Sequence, residues 1–235
     1  GQVVLNSYAR SAIKSKPVNE TSLWNLLSEN GEMWLWEKNK TILTEPSTLS
    51  FLQEGLLFRS LLGVSDGSFI GNRSGLCGVG WIIFCQKTGR TIQGSFTEKS
   101  QRATSYRAEL LGVLAIYSIL AATASTLKCT DWSTEVLCDN KSVINLVSNL
   151  GRISPSTKCA DILRCIRNAK EIATGVIYHK HVAGHMDNIL KWEELSTPEQ
   201  LNCKCDELAR EALKMAGKHS AHNSLPFERV TVTLH

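Results

Sequence analysis

Long apolar runs are missing from this chain. The longest, Leu110 to Ala122, is interrupted by Gly112, Tyr117 and Ser118. That is well short of the roughly 20 apolar residues that cross a bilayer, so no membrane span is expected and the run reads as a buried helix. A dominant charge is missing too. With 26 Lys and Arg against 22 Asp and Glu, the net charge is only +4, which permits nucleic-acid binding without arguing for it. Cysteine is not scarce, but none of the eight is spaced C-x-x-C. Cys203 and Cys205 are two apart in a predicted helix and point to different faces, while Cys85, Cys129, Cys138 and Cys165 sit in apolar company. A zinc or disulfide framework is therefore not expected, and reduced thiols in an intracellular protein, of cytoplasm or nucleus, are. The start has no basic segment followed by an apolar core, so no signal peptide is expected. It opens on Gly1 rather than Met, as a piece of a longer protein would. No internal repeat or low-complexity tract is present.

What is present suits a folded domain. An apolar share of 43% can build a core, and 20% charged residues argue against disorder. The length of 235 residues fits one large domain, or one domain with an appended segment. Residues 1–60 read as a polar tail followed by a Trp-rich extension with Trp24, Trp34 and Trp36. Thr21 or Ser22 can cap a short helix there and Gly31 can end it. Packing on the main body is the expectation for these tryptophans, ahead of an aromatic platform for bases.

From Leu61 the pattern turns to β. GVSDGSF, LCGVGWIIFC and TIQGSFTE are three strands on short turns, an antiparallel meander. A helix follows from about Thr104 to Thr123, capped by Thr104 or Ser105. STEVLCDN is a fourth strand, SVINLVSNL a short helix ended by Gly151, and CADILRCIRNAKEIA a helix capped by Ser156 or Thr157. VIYHKHV is a fifth strand. Ser196-Thr197-Pro198-Glu199 has the form of a capping box with an early proline, opening a helix that runs to about Ala216 and stops at Gly217. LPFERVTVTLH is a candidate for one more strand. The order β-β-β-α-β-α-α-β-α predicts an α/β fold with a five-stranded mixed sheet flanked by helices, over residues 61–217, leaving 218–235 as a C-terminal extension.

Four acidic residues stand at the edges of these elements: Asp66, Glu109, Asp139 and Asp206. Each is flanked by apolar residues, where an ionised carboxylate is costly unless neutralised. With the first strand central and the fourth beside it, Asp66 and Asp139 become neighbours, Glu109 looks down on them and Asp206 arrives from the last helix. Like charges so close need a cation. Two magnesium ions about 4 Å apart would satisfy them and would also activate a water and stabilise a leaving oxygen. Each acid also has a plainer reading: Asp66 as a turn residue, Glu109 as helix surface, Asp139 as a helix cap, and Asp206 as a partner of Lys204 or Arg210. Arg107 reads as an ordinary helix cation.

VSDGSFIGN, TSYRAELLG, LCDN, VAGHMDN and LNCKCDELA, in that order, resemble the motifs of type 1 ribonuclease H domains. The resemblance spans roughly residues 61–216. It is closest to the ribonuclease H domains of retrotransposon reverse transcriptase polyproteins. It implies a ribonuclease H-like fold and hydrolysis of the RNA strand of RNA–DNA hybrids with two Mg²⁺ or Mn²⁺ ions, leaving 5′-phosphates. It also implies a reverse transcriptase domain of the same polyprotein as partner. By position, Asp66, Glu109, Asp139 and Asp206 match the family's metal-binding carboxylates, and His185 matches its loop histidine. Gly67 and Ser68 fall where the RNA strand is met, Asn72 where the minor groove is read, and Thr104 where a DNA phosphate is gripped.

Several positions depart from the family pattern. Ser105 stands where asparagine is common, and Lys141 where glutamine is. An insertion, ILKWEELSTPEQL, separates His185 from Asn202, leaving His181 as a rival loop histidine and His179 as a more distant one. The basic, tryptophan-rich loop of the bacterial enzymes is absent, so hybrid binding is expected from Arg164, Arg167 and Lys170 or from another domain. Two further readings remain open here: a non-catalytic binding or scaffolding module of the same fold, and an integrase or transposase core.

Overall fold

A computed structural model describes residues 22–28, 33–71, 75–127 and 130–216. The described residues of the Trp-rich segment form three α-helices, α1 (Leu23–Ser28), α2 (Lys40–Thr44) and α3 (Pro46–Leu57), with two short 3-10 turns between α1 and α2. Ser22 caps α1 by accepting the N–H of Asn25 at 3.3 Å, as expected, while Thr21 and Gly31 lie outside the described residues. Helices α2 and α3 were not anticipated. Their signal is Pro46, which occupies the first turn of α3, where its missing N–H costs nothing.

The sheet comprises β1 (Leu61–Phe69), β2 (Leu76–Cys85), β3 (Thr91–Lys99), β4 (Ser133–Cys138) and β5 (Val176–His181), in the order β3-β2-β1-β4-β5. The first three are antiparallel, and β4 and β5 are added in parallel. The expected mixed sheet with β1 at its centre is thus the observed one. The helices α4 (Ser105–Ala124), α5 (Lys141–Ser148), α6 (Ala160–Ala173) and α7 (Thr197–Met215) complete the fold. The segment LPFERVTVTLH and Gly217 lie outside the described residues.

Three caps are informative. Thr104 caps α4 by accepting the N–H of Arg107 at 3.1 Å. Ser196 N–H donates to Glu199 Oε2 at 2.8 Å, the expected box at the start of α7. The expected cap of α6 is not found: Thr157 Oγ1 is occupied by the N–H of Ser154 at 3.1 Å. The helix instead starts from Cys159 in a left-handed conformation, φ 56°.

The sheet has two different faces. On one, Cys77, Val79, Trp81 and Ile83 of β2 pack with α4, the apolar side of α6 and the N-terminal helices in a single core. Helix α4 is the one helix, among the described residues, long and apolar enough to cross a membrane, and 94% of its most apolar window is buried in this core. Trp36 packs edge-on against Trp81 and Trp34 against Phe96, so the tryptophans pack on the body as expected. Asn39 clamps β3: its amide donates to Ser95 O at 3.1 Å and accepts the N–H of Ser95 at 3.2 Å. On the other face, Leu62, Val64 and Ile82 meet Leu201 and Cys205 of α7.

Two glycines allow helices to lie close to the strands. A Cβ on Gly67 would collide with Ala108, in the first turn of α4, and one on Gly80 would collide with the backbone carbonyl of Cys205 in α7. Gly80→Ala is therefore expected to cost about 1–3 kcal/mol, since backbone on both sides must shift. A urea midpoint unchanged from wild type would disprove this close contact.

Candidate active site

The parallel pairing of β1 with β4 runs Leu62–Glu135, Gly63–Val136, Val64–Leu137. Continued by two residues, that register sets Asp66 beside Asp139. Asp66 lies on the same side of β1 as Leu62 and Val64, the side α7 covers, because side chains alternate along a strand. Glu109 reaches the spot from the first turns of α4, and Asp206 comes from the third turn of α7. All four carboxylates line one cleft of about 580 Å³, together with Gly67, Ser68, Ser105, Lys141, His181, His185 and Arg210.

The electrostatics of this arrangement are unfavourable without a cation. Asp66 and Glu109 are 3% and 5% exposed. Burial, reinforced by the charges of Asp139 and Asp206, pushes the Asp66 carboxyl up to about 7. Burial and the neighbouring Asp66 and Asp139 push Glu109 to about 10. Burial also raises Asp139, although the positive potential of His185 and His181 opposes it. The compensation present is small. Gly67 N–H donates to Asp66 Oδ1 at 2.7 Å, and Arg210 Nη2 sits 2.5 Å from Asp206 Oδ2. Clustered, poorly neutralised oxygen donors are what a hard divalent cation prefers. Glu109, Cys138 and Asp139 place one ligand atom each within 4.8 Å of one another.

Of the other expected site residues, Gly67, Ser68 and Ser105 are in the cleft. Thr104 is not. It lines a second depression with Arg102, Lys158 and Arg164, and its hydroxyl oxygen is engaged at the α4 cap. Asn72 lies outside the described residues. Asp139 is not the cap of α5; Asn140 is, its Oδ1 accepting the N–H groups of Ser142 and Val143 at 3.1 and 3.2 Å, which leaves the Asp139 carboxylate to the cleft. Asp206 does pair with Arg210, so the plainer reading of that acid and its place in the cleft both hold.

The histidines separate by position. His185 stands at the cleft mouth with Nδ1 3.7 Å from Asp206 Oδ2. His181 also lines the cleft, its Nε2 2.9 Å from the backbone oxygen of Asp139. His179 does not: it is stacked on Tyr117 and hydrogen-bonded to its hydroxyl at 2.6 Å. Burial, with Lys170 nearby, lowers His179 to about 4. Protonation of His179 therefore opposes folding. Its contribution is complete above pH 6.5 and is lost as pH falls toward 4, by about 1–2 kcal/mol. The drop in urea midpoint between pH 7 and pH 4.5 is expected to be smaller in His179→Gln; an equal drop would refute it.

Two residues escaped the sequence reading. Arg107, expected on the helix surface, is fully buried between Glu98 and Asp161, with Nη2 2.7 Å from each. Helical spacing carried the clue, since Arg107 falls among apolar positions of α4. Cys138, read as one apolar thiol among several, donates its S–H to Glu109 Oε2 at 3.3 Å. Its clue was its place one residue before Asp139 at a strand end. Of the three cations expected to bind nucleic acid, Arg164 lines the second depression. Arg167 donates to the carbonyl of Gly151, and Lys170 lies near His179.

No family model matches this chain, and no curated protein does. Solved structures do. The native prototype foamy virus protease–reverse transcriptase is 17% identical over 67% of this chain and 21% of that one, with a TM-score of 0.52. The RNase H1 of the halophilic archaeon Halobacterium salinarum is 25% identical over 66% of this chain and 98% of that one, TM-score 0.44. LC11-RNase H1 in complex with RNA/DNA hybrid, an enzyme isolated from compost, is 18% identical over 66% and 96%, TM-score 0.47. The backbone is what such similarity carries. A central β1 flanked by antiparallel β2 and parallel β4, with α4 on one face and α7 on the other, gives this chain the ribonuclease H fold.

Proposed function

We propose that the chain is an endonuclease that hydrolyses the RNA strand of RNA–DNA hybrids, with Mg²⁺ or Mn²⁺, in the replication of a retroelement. One observation carries the reading: four carboxylates from four separate elements line one cleft of a ribonuclease H fold. Asp66, Glu109, Asp139 and Asp206 would hold two divalent ions, and their all-oxygen donor set and raised proton affinities suit that role. When bound, such ions neutralise phosphate charge and lower the pKa of an attacking water.

The protein's own groups do the rest. Ser68 and Ser105, on the cleft wall, present hydroxyls to the strand being cut. Gly67, with no side chain, lets the start of α4, and with it Glu109, lie close to β1. His185, half-exposed at the cleft mouth, would give or take a proton at the departing oxygen through an imidazole nitrogen. Arg210 holds Asp206 in place. The second depression, with Thr104, Arg102, Lys158 and Arg164, offers cationic contacts for the uncut strand. A reverse transcriptase domain of the same polyprotein is the proposed partner.

Cleavage of an end-labelled hybrid, beside matched RNA and DNA duplexes, tests this. Cutting of the hybrid's RNA strand alone, abolished by EDTA, is expected. Hybrid bound in Mg²⁺ but left intact would make the chain a binding module, and cutting of the DNA duplex would move it to the integrase side of the fold.

A further inference from the structure

The proposed metal set is built from oxygen, yet a thiol abuts it from the core side, behind Glu109. Cys138 is fully buried, and its sulfur lies 3.3 Å from Glu109 Oε2. The backbone N–H of Asn140, a group outside the carboxylate set, donates to the same sulfur at 3.4 Å, which fixes the sulfur in place at the end of β4. Cys205 is also buried nearby, but its S–H is spent on the carbonyl of Val64 at 3.2 Å. Cys138 is thus the thiol that shares donors with the cleft.

We propose that Glu109, Cys138 and Asp139 form a binding site for a thiophilic divalent cation, zinc or cadmium, and that such an ion blocks the cleft. Their ligand atoms already lie within 4.8 Å of one another. Around zinc, with bonds of about 2.0–2.3 Å, tetrahedral ligands stand about 3.3–3.8 Å apart. Side-chain movements of about 1 Å close that gap. Binding replaces the thiol proton, which leaves to solvent, and forms a sulfur–metal bond. Glu109 and Asp139 both line the cleft, so water from that side can complete the tetrahedron. Magnesium gains nothing from the sulfur, because it prefers oxygen ligands and retains its waters. One thiol therefore gives the site two cation classes with opposite effects.

The inhibitory effect rests on the hydrolytic reading above; the binding does not. The test is a Cd²⁺ titration of the whole chain without magnesium or substrate, read by the ultraviolet thiolate-to-cadmium charge-transfer band. Wild type is expected to saturate at one ion per chain. The band is expected to vanish in Cys138→Ser and in Cys138→Ala, and to persist in Cys203→Ser, a control for the half-buried thiol of α7. In cleavage assays at fixed Mg²⁺, Cys138→Ser should need about tenfold or more Zn²⁺ for half-inhibition, because the soft donor is gone. A band of equal strength in both folded Cys138 variants, or none in wild type, overturns the site. A band with no hybrid cleavage upholds the site and sinks the hydrolytic reading instead.

Discussion

Asp139→Asn and Glu109→Gln are each expected to lower hybrid cleavage by at least about three orders of magnitude, since the charge that holds the ions is the source of the catalysis. The same Glu109→Gln change is expected to stabilise the metal-free protein. The Glu109 carboxyl is raised by burial and by Asp66 and Asp139 to about 10, against about 4.3 in an unfolded chain. A group whose folded pKa is raised stabilises fully below its unfolded value and loses that contribution as pH climbs toward the folded one. Metal-free wild type should therefore weaken steadily from about pH 4 to pH 10, with the raised Asp66, at about 7, adding to the slope over the lower half. Glutamine carries no charge to desolvate. At pH 8 without metal, Glu109→Gln should be more stable by about 1–3 kcal/mol. Added Mg²⁺ should raise the unfolding midpoint of wild type far more than that of the variant. A variant that unfolds earlier than wild type in EDTA would show that Glu109 is a structural residue. Unchanged cleavage by Asp139→Asn would sink the hydrolytic assignment.

Arg107→Ala should be the most destabilising single substitution outside the apolar core, by about 3–5 kcal/mol. Its guanidinium joins three elements: Glu98 at the end of β3, Asp161 in the first turn of α6, and α4 itself. Glu98 and Arg107 are fully buried and Asp161 is nearly so. Removing the cation leaves two carboxylates in the interior with no counter-charge, and the cost is their desolvation rather than the lost attraction. The cost should shrink when the acids go with it: Arg107→Met with Glu98→Gln and Asp161→Asn is expected to recover much of the loss. Urea denaturation of the single and triple variants measures this. A single variant within about 1 kcal/mol of wild type would mean that the triad behaves as if solvated.

The sheet was legible because its strands are marked by apolar runs between Gly-, Asn- and Lys-containing turns, and β2 in particular is bounded as LCGVGWIIFC indicates. The acidic cluster was legible because its four members sit at the ends of elements whose order fixes which ends meet. Other features were not. Cys159 opens α6 in a left-handed backbone, and nothing in a cysteine's chemistry announces that. Arg107 looked like a surface cation because its partners come from positions 9 and 54 residues away, and pairing at such distance leaves no local pattern. Helix α2 is only five residues long and α3 follows it after Glu45 alone, too little chain for a helical period to separate the two.

Asn39 has an effect beyond holding the N-terminal helices in place. A strand at the margin of a sheet offers unpaired N–H and C=O groups, an invitation to any passing strand. By taking both polar groups of Ser95 with one side-chain amide, Asn39 supplies what a sixth strand would and leaves nothing to extend, because a side chain has no further edge of its own. The β3 edge is blocked at its middle, at Ser95, by a single side chain, so the cost of losing the N-terminal helices falls on self-association as well as on stability. A shortened chain beginning at residue 60 would show its neighbours an adhesive margin.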